Sequence, residues 1–564
     1  MLAPFLLLAA SAPFDEAQVR LHAAQSVTLL QKVAAQWKSP CLSCHHQSLP
    51  AMALEAARAH GIRVDEVAAQ AAARRTFRYL ADLDAAVRVD FLIDPAFSEG
   101  YSLIGASASG VKPNLSLAVY ARHIARQQRA DGNWAAFDAR PPQGEGVIPA
   151  TAVAARAMAL YLPAALAADR DKRLARARKW LLSAKPRTTE DLTYRLLGLL
   201  WTGASIEERK TAIDELVKAQ RSDGGWGQLA AIKESDAYST GQALVALRRA
   251  GGWERTQPEF AQGVAWLLKS QQADASWHVQ SRIHTKAPVS PPYFESGFPY
   301  GHDQFISCSA TAWAVMALAE ALPAVPAPAR PLPVAGVEPV TAPWMEKALF
   351  GKAADMASVD PQAATQQGTT ALMMAADDAG KVKALLARGA KARVTASSGY
   401  DALMIACLYP GNVETLAALM AAEASPVARE GVRYKASALP IAVFTGDRAM
   451  VTLLLEKFAD PNEPMSLLGQ GPLTPVNIAV NMDDGLLVRV LLSKGAKRDV
   501  KDDNGMTDLS WAALVHKNDA MRVLLELGAD RTVRDKFGLT PLDHARDGIA
   551  HLSPETEQLL LRVW

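Results

Sequence analysis

Residues 41–47, Cys-Leu-Ser-Cys-His-His-Gln, hold the side chains best suited to chemistry. A C-x-x-C-H run in an exported protein is the attachment pattern of c-type haem, with thioether bonds from Cys41 and Cys44 and with His45 as the proximal iron ligand. Two thiolates and one imidazole are also three of the four ligands of a tetrahedral zinc site. The segment therefore predicts either covalent haem c or zinc at Cys41, Cys44 and His45.

The same residues allow two other interpretations. Cys41 and Cys44 could form a local disulfide or stay as thiols at the start of a helix, with His45 and His46 only polar. The Cys44-x-x-Gln47 spacing also resembles the internal thioester of complement-type domains, although Ser43 and His45 stand where that motif has glycine. The sequence leaves haem, metal, disulfide and thioester open.

The first residues indicate export. Residues 2–10 form a short apolar run that is followed by Ala10-Ser11-Ala12, a small-residue pattern typical of a cleavage site. We therefore expect a signal peptide at residues 1–12 and a periplasmic or secreted protein. That compartment would be oxidising, which bears directly on the cysteines.

Length and charge narrow the class of protein. The chain has 564 residues, more than one hydrophobic core usually supports. Lys and Arg number 60 against 58 Asp and Glu, without a basic stripe, which argues against a nucleic-acid partner. The sequence contains no run of 18 apolar residues, so we expect no transmembrane segment. Helical periodicity in both halves predicts an all-α fold.

A proline-rich segment divides the chain. Seven of the twenty-one residues at 323–343 are proline, which excludes a helix and favours a stiff, extended spacer. We expect this linker to separate a domain at 20–322 from a domain at 345–564. Because few contacts would cross it, the two halves should unfold as separate units.

The second half has a period of 33 residues. Thr474, Thr507 and Thr540 begin T-P-V, T-D-L and T-P-L at that spacing, and each unit also has a later L-L-x-x-G-A element. This pattern resembles the ankyrin repeat, and about six units fit residues 345–564. The resemblance implies a solenoid that binds a protein partner through turn tips and the inner helix face. The residues expected on that face are Asp401, Tyr409, Asn412 and His516.

The first half contains a different repeat. Helix tails that end in Gln are followed by a polar turn and by Trp134, Trp226 or Trp277. This resembles the QW motif of the squalene-cyclase and prenyltransferase superfamily, and it implies an α/α toroid of about six outer–inner helical hairpins. Physically, Gln bonds the turn, Gly permits positive φ, and Trp pins one hairpin against its neighbour.

The enzymes of that superfamily use groups that this chain lacks. Asp82-Leu83-Asp84-Ala85 breaks the D-x-D-D motif of the cyclases, and the zinc ligands of the prenyltransferases find no match at Asp236-Ala237-Tyr238 or at Ile306. The resemblance still implies an alternative function, a divergent isoprenoid cyclase or transferase that acts on an apolar small molecule in the toroid. The candidate catalytic residues for it are Asp236, Asp303 and Tyr238.

Ring closure predicts a composite site. In such a toroid all inner helices run parallel, and the first and last are neighbours. We therefore expect the cysteine and histidine segment to lie beside the start of the last inner helix. The predicted metal-binding set is Cys41, Cys44, His45, His302 and Cys308, with Asp303 beside it.

Overall fold

The fold is almost entirely helical. A computed structural model describes residues 14–37, 44–89, 94–136, 140–144, 146–282, 295–426, 436–466, 472–547 and 554–562. Helices account for 59% of the residues, which confirms the all-α prediction. One small antiparallel hairpin pairs β1 (Met465–Ser466) with β2 (Pro472–Leu473). Among the described residues, no helix has the length and apolarity needed to cross a membrane. The expected signal peptide lies outside the described residues.

The described part of the first half contains thirteen α-helices. They are α1 (Glu16–Gln36), α2 (Leu49–Ala59), α3 (Glu66–Phe77), α4 (Leu83–Arg88), α5 (Gly100–Ala108), α6 (Leu115–Arg126), α7 (Val147–Tyr161), α8 (Ala167–Ser183), α9 (Thr189–Trp201), α10 (Ile206–Lys218), α11 (Ala237–Arg249), α12 (Pro258–Ser270) and α13 (Gln304–Glu320). Short 3₁₀ or π-helical turns lie at Cys44–Ser48, Arg78–Ala81, Pro95–Glu99, Ala164–Leu166 and Gly301–Asp303.

Six of these helices form a closed inner ring. Each packs against the next, and the last packs against the first, in the order α2, α5, α7, α9, α11, α13. The other helices lie outside and alternate with them along the chain, except that α3 and α4 share one outer position. Alternation makes the inner helices parallel, so their N-termini meet at one end of the ring, which we call the mouth. The six hairpins agree with the sequence-based expectation.

Three tryptophan turns repeat the same set of bonds. Each indole N–H donates to a carbonyl near the end of the preceding outer helix, and each tryptophan backbone N–H donates to a threonine hydroxyl on the following inner helix. The indole bonds run from Trp134 to Ile124 at 2.6 Å, from Trp226 to Leu216 at 2.8 Å and from Trp277 to Leu267 at 3.0 Å. The threonines are Thr151, Thr240 and Thr311. Each turn therefore fastens an outer helix to its inner partner.

The glutamine of each turn links neighbouring outer helices. The side-chain amide donates to a carbonyl of its own turn and also to a carbonyl of the next outer helix. The second bonds run from Gln128 to Arg173, from Gln220 to Glu259 and from Gln271 to His22. The last of these joins α12 to α1 and closes the outer layer.

The proline-rich segment lies on the toroid, so the expectation of few contacts was wrong. Residues 323–342 are extended, as predicted. However, the Val325 N–H donates to the Ala59 carbonyl at 2.9 Å, and Gln70 and Asn114 donate to carbonyls of the segment. Val337 is fully buried. Prolines remove N–H donors but leave carbonyls and apolar surface, and the toroid uses both.

The described part of the second half begins with α14 and then forms six helix pairs, as predicted for about six repeats. They are α14 (Pro343–Phe350), α15 (Ala371–Met374), α16 (Ala379–Ala387), α17 (Ala402–Cys407), α18 (Val413–Ala421), α19 (Ala438–Phe444), α20 (Arg448–Glu456), α21 (Pro475–Asn481), α22 (Gly485–Ser493), α23 (Asp508–Leu514), α24 (Asn518–Glu526), α25 (Pro541–Asp547) and α26 (Pro554–Leu561). A 3₁₀ turn lies at Ala353–Ser358. Thr474 and Thr507 cap the first helices of their pairs, because each hydroxyl accepts a backbone N–H of the first turn.

Candidate functional site

The cysteine and histidine segment is described only in part. Cys41 lies outside the described residues, as do the side chains of Cys44 and His45. The haem, zinc, disulfide and thioester interpretations, and the distance from the Cys44 sulfur to Cys308, therefore stay predictions. The backbone turn Cys44–Ser48 packs against α13, which is the neighbour that ring closure predicted.

His46 ties this turn to the residues before α13. Its ring stacks on Trp37, with 4.9 Å between centroids, and meets the edge of Phe298 at 6.4 Å. Burial lowers the pKa of His46 to about 3, so the imidazole is neutral in the native state. Loops from the first and last hairpins therefore meet at the mouth through an apolar histidine contact.

Cys308 is packed in the core. It is buried on α13, and burial raises the pKa of its thiol, which keeps the sulfur protonated. A protonated thiol is a poor metal ligand. Within the described ranges no three His, Cys, Asp or Glu side chains are arranged to hold a metal ion. His302 lies in the turn Gly301–Asp303, directly before α13.

Asp303 binds the loop that precedes it. One carboxylate oxygen lies 2.9 Å from His278 Nε2, and the other accepts the Ser281 N–H at 2.8 Å. His278 in turn stacks on Tyr300 at 4.6 Å. Asp303 makes no side-chain cap for α13. Its observed contacts therefore position the rim of the mouth.

Asp236 and Tyr238 have structural partners at the start of α11. Asp236 caps the helix by accepting the Ser239 N–H at 2.8 Å, and burial raises its pKa to about 6. The Tyr238 hydroxyl donates to Glu190 at 2.8 Å, and Glu190 also accepts the Gly144 N–H. The catalytic roles of Asp236, Asp303 and Tyr238 stay predictions.

A buried charged cluster joins the two halves of the chain, and no sequence pattern pointed to it. Arg122 projects from α6 onto the second half, where it donates to the Leu349 carbonyl at 2.5 Å and to the Tyr409 hydroxyl at 3.0 Å. Its guanidinium also lies 3.3 Å from Asp377. We call this cluster the arginine junction; its members are Arg122, Leu349, Phe350, Asp377, Lys381 and Tyr409.

Aromatic rings and a second cation complete the arginine junction. The guanidinium carbon lies 5.0 Å from the centre of Phe350 and 5.2 Å from that of Tyr409, within cation–π range. Lys381 Nζ bonds Asp377 at 2.8 Å. Burial alone would raise the pKa of Asp377, but Arg122, Lys381 and the more distant Arg126 outweigh it and hold that pKa below the usual value.

The six helix pairs of the second half, which we call the array, make further contacts at the mouth. Arg129, which precedes inner helix α7, donates to the Met482 carbonyl at 3.4 Å. Phe305, at the start of α13, packs with a cluster on α23 and its flanks formed by Met506, Trp511, Leu514 and Val515. Helices α7 and α13 lie on opposite sides of the ring. The array therefore contacts both sides of the mouth.

The predicted partner face is partly used by the toroid. Asp401, Tyr409 and Asn412 are buried, so the expectation that they meet a partner at the surface was wrong. Asp401 caps α17, Asn412 donates to two backbone carbonyls, and Tyr409 belongs to the arginine junction. His516 is half-buried and lies 3.0 Å from the Thr556 hydroxyl. Of these residues, Tyr409 contacts the toroid, whereas Asp401, Asn412 and His516 have partners within the array.

Among the described residues of the second half, Phe458 has the most exposed aromatic side chain. Phe458 follows α20 with 87% of its surface accessible and with a φ of 71°. The equivalent positions after α16, α22 and α24 are Gly389, Gly495 and Gly528, all with positive φ. Glu423 follows α18 in the same conformation, with a φ of 70°. A phenylalanine thus occupies a backbone conformation that favours glycine.

Comparison with known proteins defines the class of the second half. Residues 372–465 and 439–535 match the family model for ankyrin repeats, with three copies. This region therefore contains ankyrin repeats, a solenoid module of protein–protein interaction. No curated protein matches the chain. The resemblance of residues 20–322 to the cyclase superfamily stays a prediction.

Two solved structures illustrate the similarity of the array. The ankyrin repeat domain of human ASB11 is 24% identical in sequence. The match covers 39% of this chain and 97% of the ASB11 chain, with a TM-score of 0.33. The ankyrin repeat domain of Bcl-3, described as a unique member of the IkappaB family, is 22% identical, covers 39% and 99%, and gives a TM-score of 0.31.

Proposed function

We propose that this protein is an exported scaffold that binds a protein partner through the ankyrin array, with the toroid as a rigid platform. The observation that carries the proposal is Phe458. Large apolar side chains are the usual anchors of protein interfaces, and a strained backbone is typical of functional sites. The toroid covers the mouth-facing side of the array, whereas Phe458 is open to solvent.

Stability alone gives no reason for Phe458. The left-handed conformation costs a residue with a side chain about 1–2 kcal/mol, and an exposed ring recovers little of that by packing. Three equivalent turns use glycine and avoid the cost. Glu423 shares this backbone conformation, but a charged side chain is at home in water, whereas an exposed apolar ring that costs stability is best explained by contact with another molecule.

The test is Phe458→Gly in the full-length chain. We expect the free energy of unfolding to rise slightly, by about 0.5–1 kcal/mol, because the strain is relieved. Binding to the partner, identified by crosslinking to the wild-type protein in its native cell, should fall at least about tenfold, as for an interface anchor. Glu423→Gly makes the same backbone change one repeat earlier and should leave binding unchanged. Equal binding by wild type and Phe458→Gly would refute the proposal.

Haem or metal binding at Cys41, Cys44 and His45 is a second part of the proposal. The support is the C-x-x-C-H pattern together with the position of the turn Cys44–Ser48 at the mouth. The test is the absorption spectrum and metal content of the full-length protein recovered from the periplasm. A c-type spectrum that disappears in Cys44→Ser supports haem, and stoichiometric zinc supports a metal site. Protein with neither group would reject both. The isoprenoid alternative stays a prediction.

A further inference from the structure

We propose that the ankyrin array carries a binding site for an arginine side chain, which Arg122 of the toroid fills in this structure and for which an arginine of a partner protein competes. The site goes beyond the Phe458 surface proposed above and lies on a different side of the array. Its ligand class is a guanidinium group presented by a protein.

Every group that contacts the Arg122 guanidinium in the arginine junction comes from the second half of the chain. The Leu349 carbonyl and the Tyr409 hydroxyl accept its N–H groups, and Asp377 supplies the opposite charge. Phe350 and Tyr409 lie against the guanidinium. A carboxylate, a carbonyl, a hydroxyl and two aromatic rings around a planar cation select arginine over lysine, whose ammonium is a compact point charge.

The site keeps its own charge balance when Arg122 leaves. Asp377 and Lys381 form a 2.8 Å ion pair within the array, and Lys381 also donates to the Ala348 and Leu349 carbonyls. Asp377 is therefore not left as an isolated buried charge. A cavity of about 220 Å³ adjoins the junction and is lined by Arg122, Phe350 and Asp377 among others. An arginine can therefore leave and another can enter without collapse of the array.

Replacement of Arg122 by a partner's arginine would also weaken the contacts that hold the array over the mouth. The array reaches the third hairpin through Arg122 and also through Arg126, Gln127 and Arg129, and it reaches the sixth through the contact of Phe305 with α23. An arginine-bearing partner would remove the Arg122 contact, which has the most partners in the array, and would so weaken the attachment of the array to the third hairpin. Partner binding at the arginine junction is thus coupled to access to the ring.

The experiment uses full-length Arg122→Ala and titration calorimetry with N-acetyl-glycyl-arginyl-glycinamide. The control peptide has citrulline in place of arginine, which keeps the shape and removes the charge. We expect Arg122→Ala to bind the arginine peptide at least about tenfold more tightly than the citrulline peptide, as hydrogen bonds to a charged group require. Wild type should show no such difference, because Arg122 fills the site.

A folded Arg122→Ala protein that binds both peptides equally, or neither, would overturn the inference. Should that variant fail to fold, Arg122→Gln keeps most of the side-chain volume and is tested with the same two peptides. Phe458→Gly combined with Arg122→Ala should retain the arginine preference. That result separates failure of the arginine site from failure of the proposed Phe458 surface.

Discussion

At the scale of single residues, the informative positions are those where the array departs from its own repeat. Phe458 replaces a glycine, and Asp508 stands in the T-D-L unit where the neighbouring units have proline after threonine. Proline suits the first position of a helix, whereas Asp508 is buried there and its Oδ2 has no hydrogen-bond partner among the described residues. Both departures cost stability locally.

Asp508 should make the stability of the protein depend on pH. Burial raises the pKa of Asp508 to about 7, whereas an unfolded aspartate has a pKa of about 3.9. The native state therefore holds this proton more tightly, and the free energy of unfolding falls as the pH rises from about 4 to 7.

Asp508→Asn should remove that fall. We expect the variant to be more stable than wild type by about 4 kcal/mol at pH 8, the equivalent of a pKa rise of about three units, and nearly equal to it at pH 4. Urea unfolding at both pH values measures the difference, with exposed Asp503→Asn as the control. A difference that does not change with pH would show that Asp508 is not the titrating group.

At the scale of elements, the tryptophan turns decide how one hairpin joins the next. Two of the turns have a glycine with positive φ, Gly132 and Gly224, and the third has Ala275 with a φ of 66°. Ala275 is thus the strained member of the set. The same residue accepts a hydrogen bond from Ser26 at 2.6 Å, where the outer layer closes.

Exchange of glycine and alanine between these turns should have opposite effects. Ala275→Gly should stabilise the protein by about 0.5–1 kcal/mol, because relief of the left-handed strain exceeds the added entropy of the unfolded chain. Gly224→Ala should destabilise it by at least about 1 kcal/mol, since a Cβ there would lie 2.8 Å from the Gln262 carbonyl oxygen. Denaturant unfolding of both variants measures the pair. Changes in the free energy of unfolding with the same sign in both variants would contradict the common geometry of the turns.

The sequence predicted these elements because their signals are local. Gln and Trp of each turn, with Gly between them in two of the three, lie within about ten residues, and the helix pairs recur about every 33, so periodicity locates both. The arginine junction had no such signal. Arg122 lies in an ordinary amphipathic helix, and its partner Tyr409 is 287 residues away. The packing of the proline-rich segment was missed for the same reason.

At the scale of the whole molecule, the array and the ring form one body held at several points. The arginine junction, the Phe305 contact and the proline-rich segment at 323–342 all bind the second half to the first. Such a body should unfold in one main transition, in place of the two that the sequence suggested.

Loss of the arginine junction should loosen the mouth. In full-length Arg122→Ala, we expect backbone amides at the start of α13 to exchange hydrogen faster than in wild type, by about tenfold or more, because one contact of the cover is gone. Exchange at Gly203 and Ala204, whose amides are bonded at the C-terminal end of inner helix α9 and so lie at the end of the ring opposite the mouth, should be unchanged and serves as the internal control. Mass spectrometry of peptides from the two regions makes the comparison. Unchanged exchange at α13 would show that the array does not cover the mouth.

Closure of the ring also determines the order in which the parts of the chain can fold during synthesis on the ribosome. Helix α2 gains its last neighbour only with α13, and the His60 imidazole meets the Leu322 carbonyl across 262 residues. At about 5–20 residues per second, the first hairpin waits roughly 13–50 seconds with one apolar face uncovered. Within the array, each ankyrin pair packs on the pairs next to it in the sequence, so the pairs can fold as they emerge. The nascent chain is therefore most exposed to aggregation and to chaperones before the ring closes, and each helix pair completed after that adds to its protection.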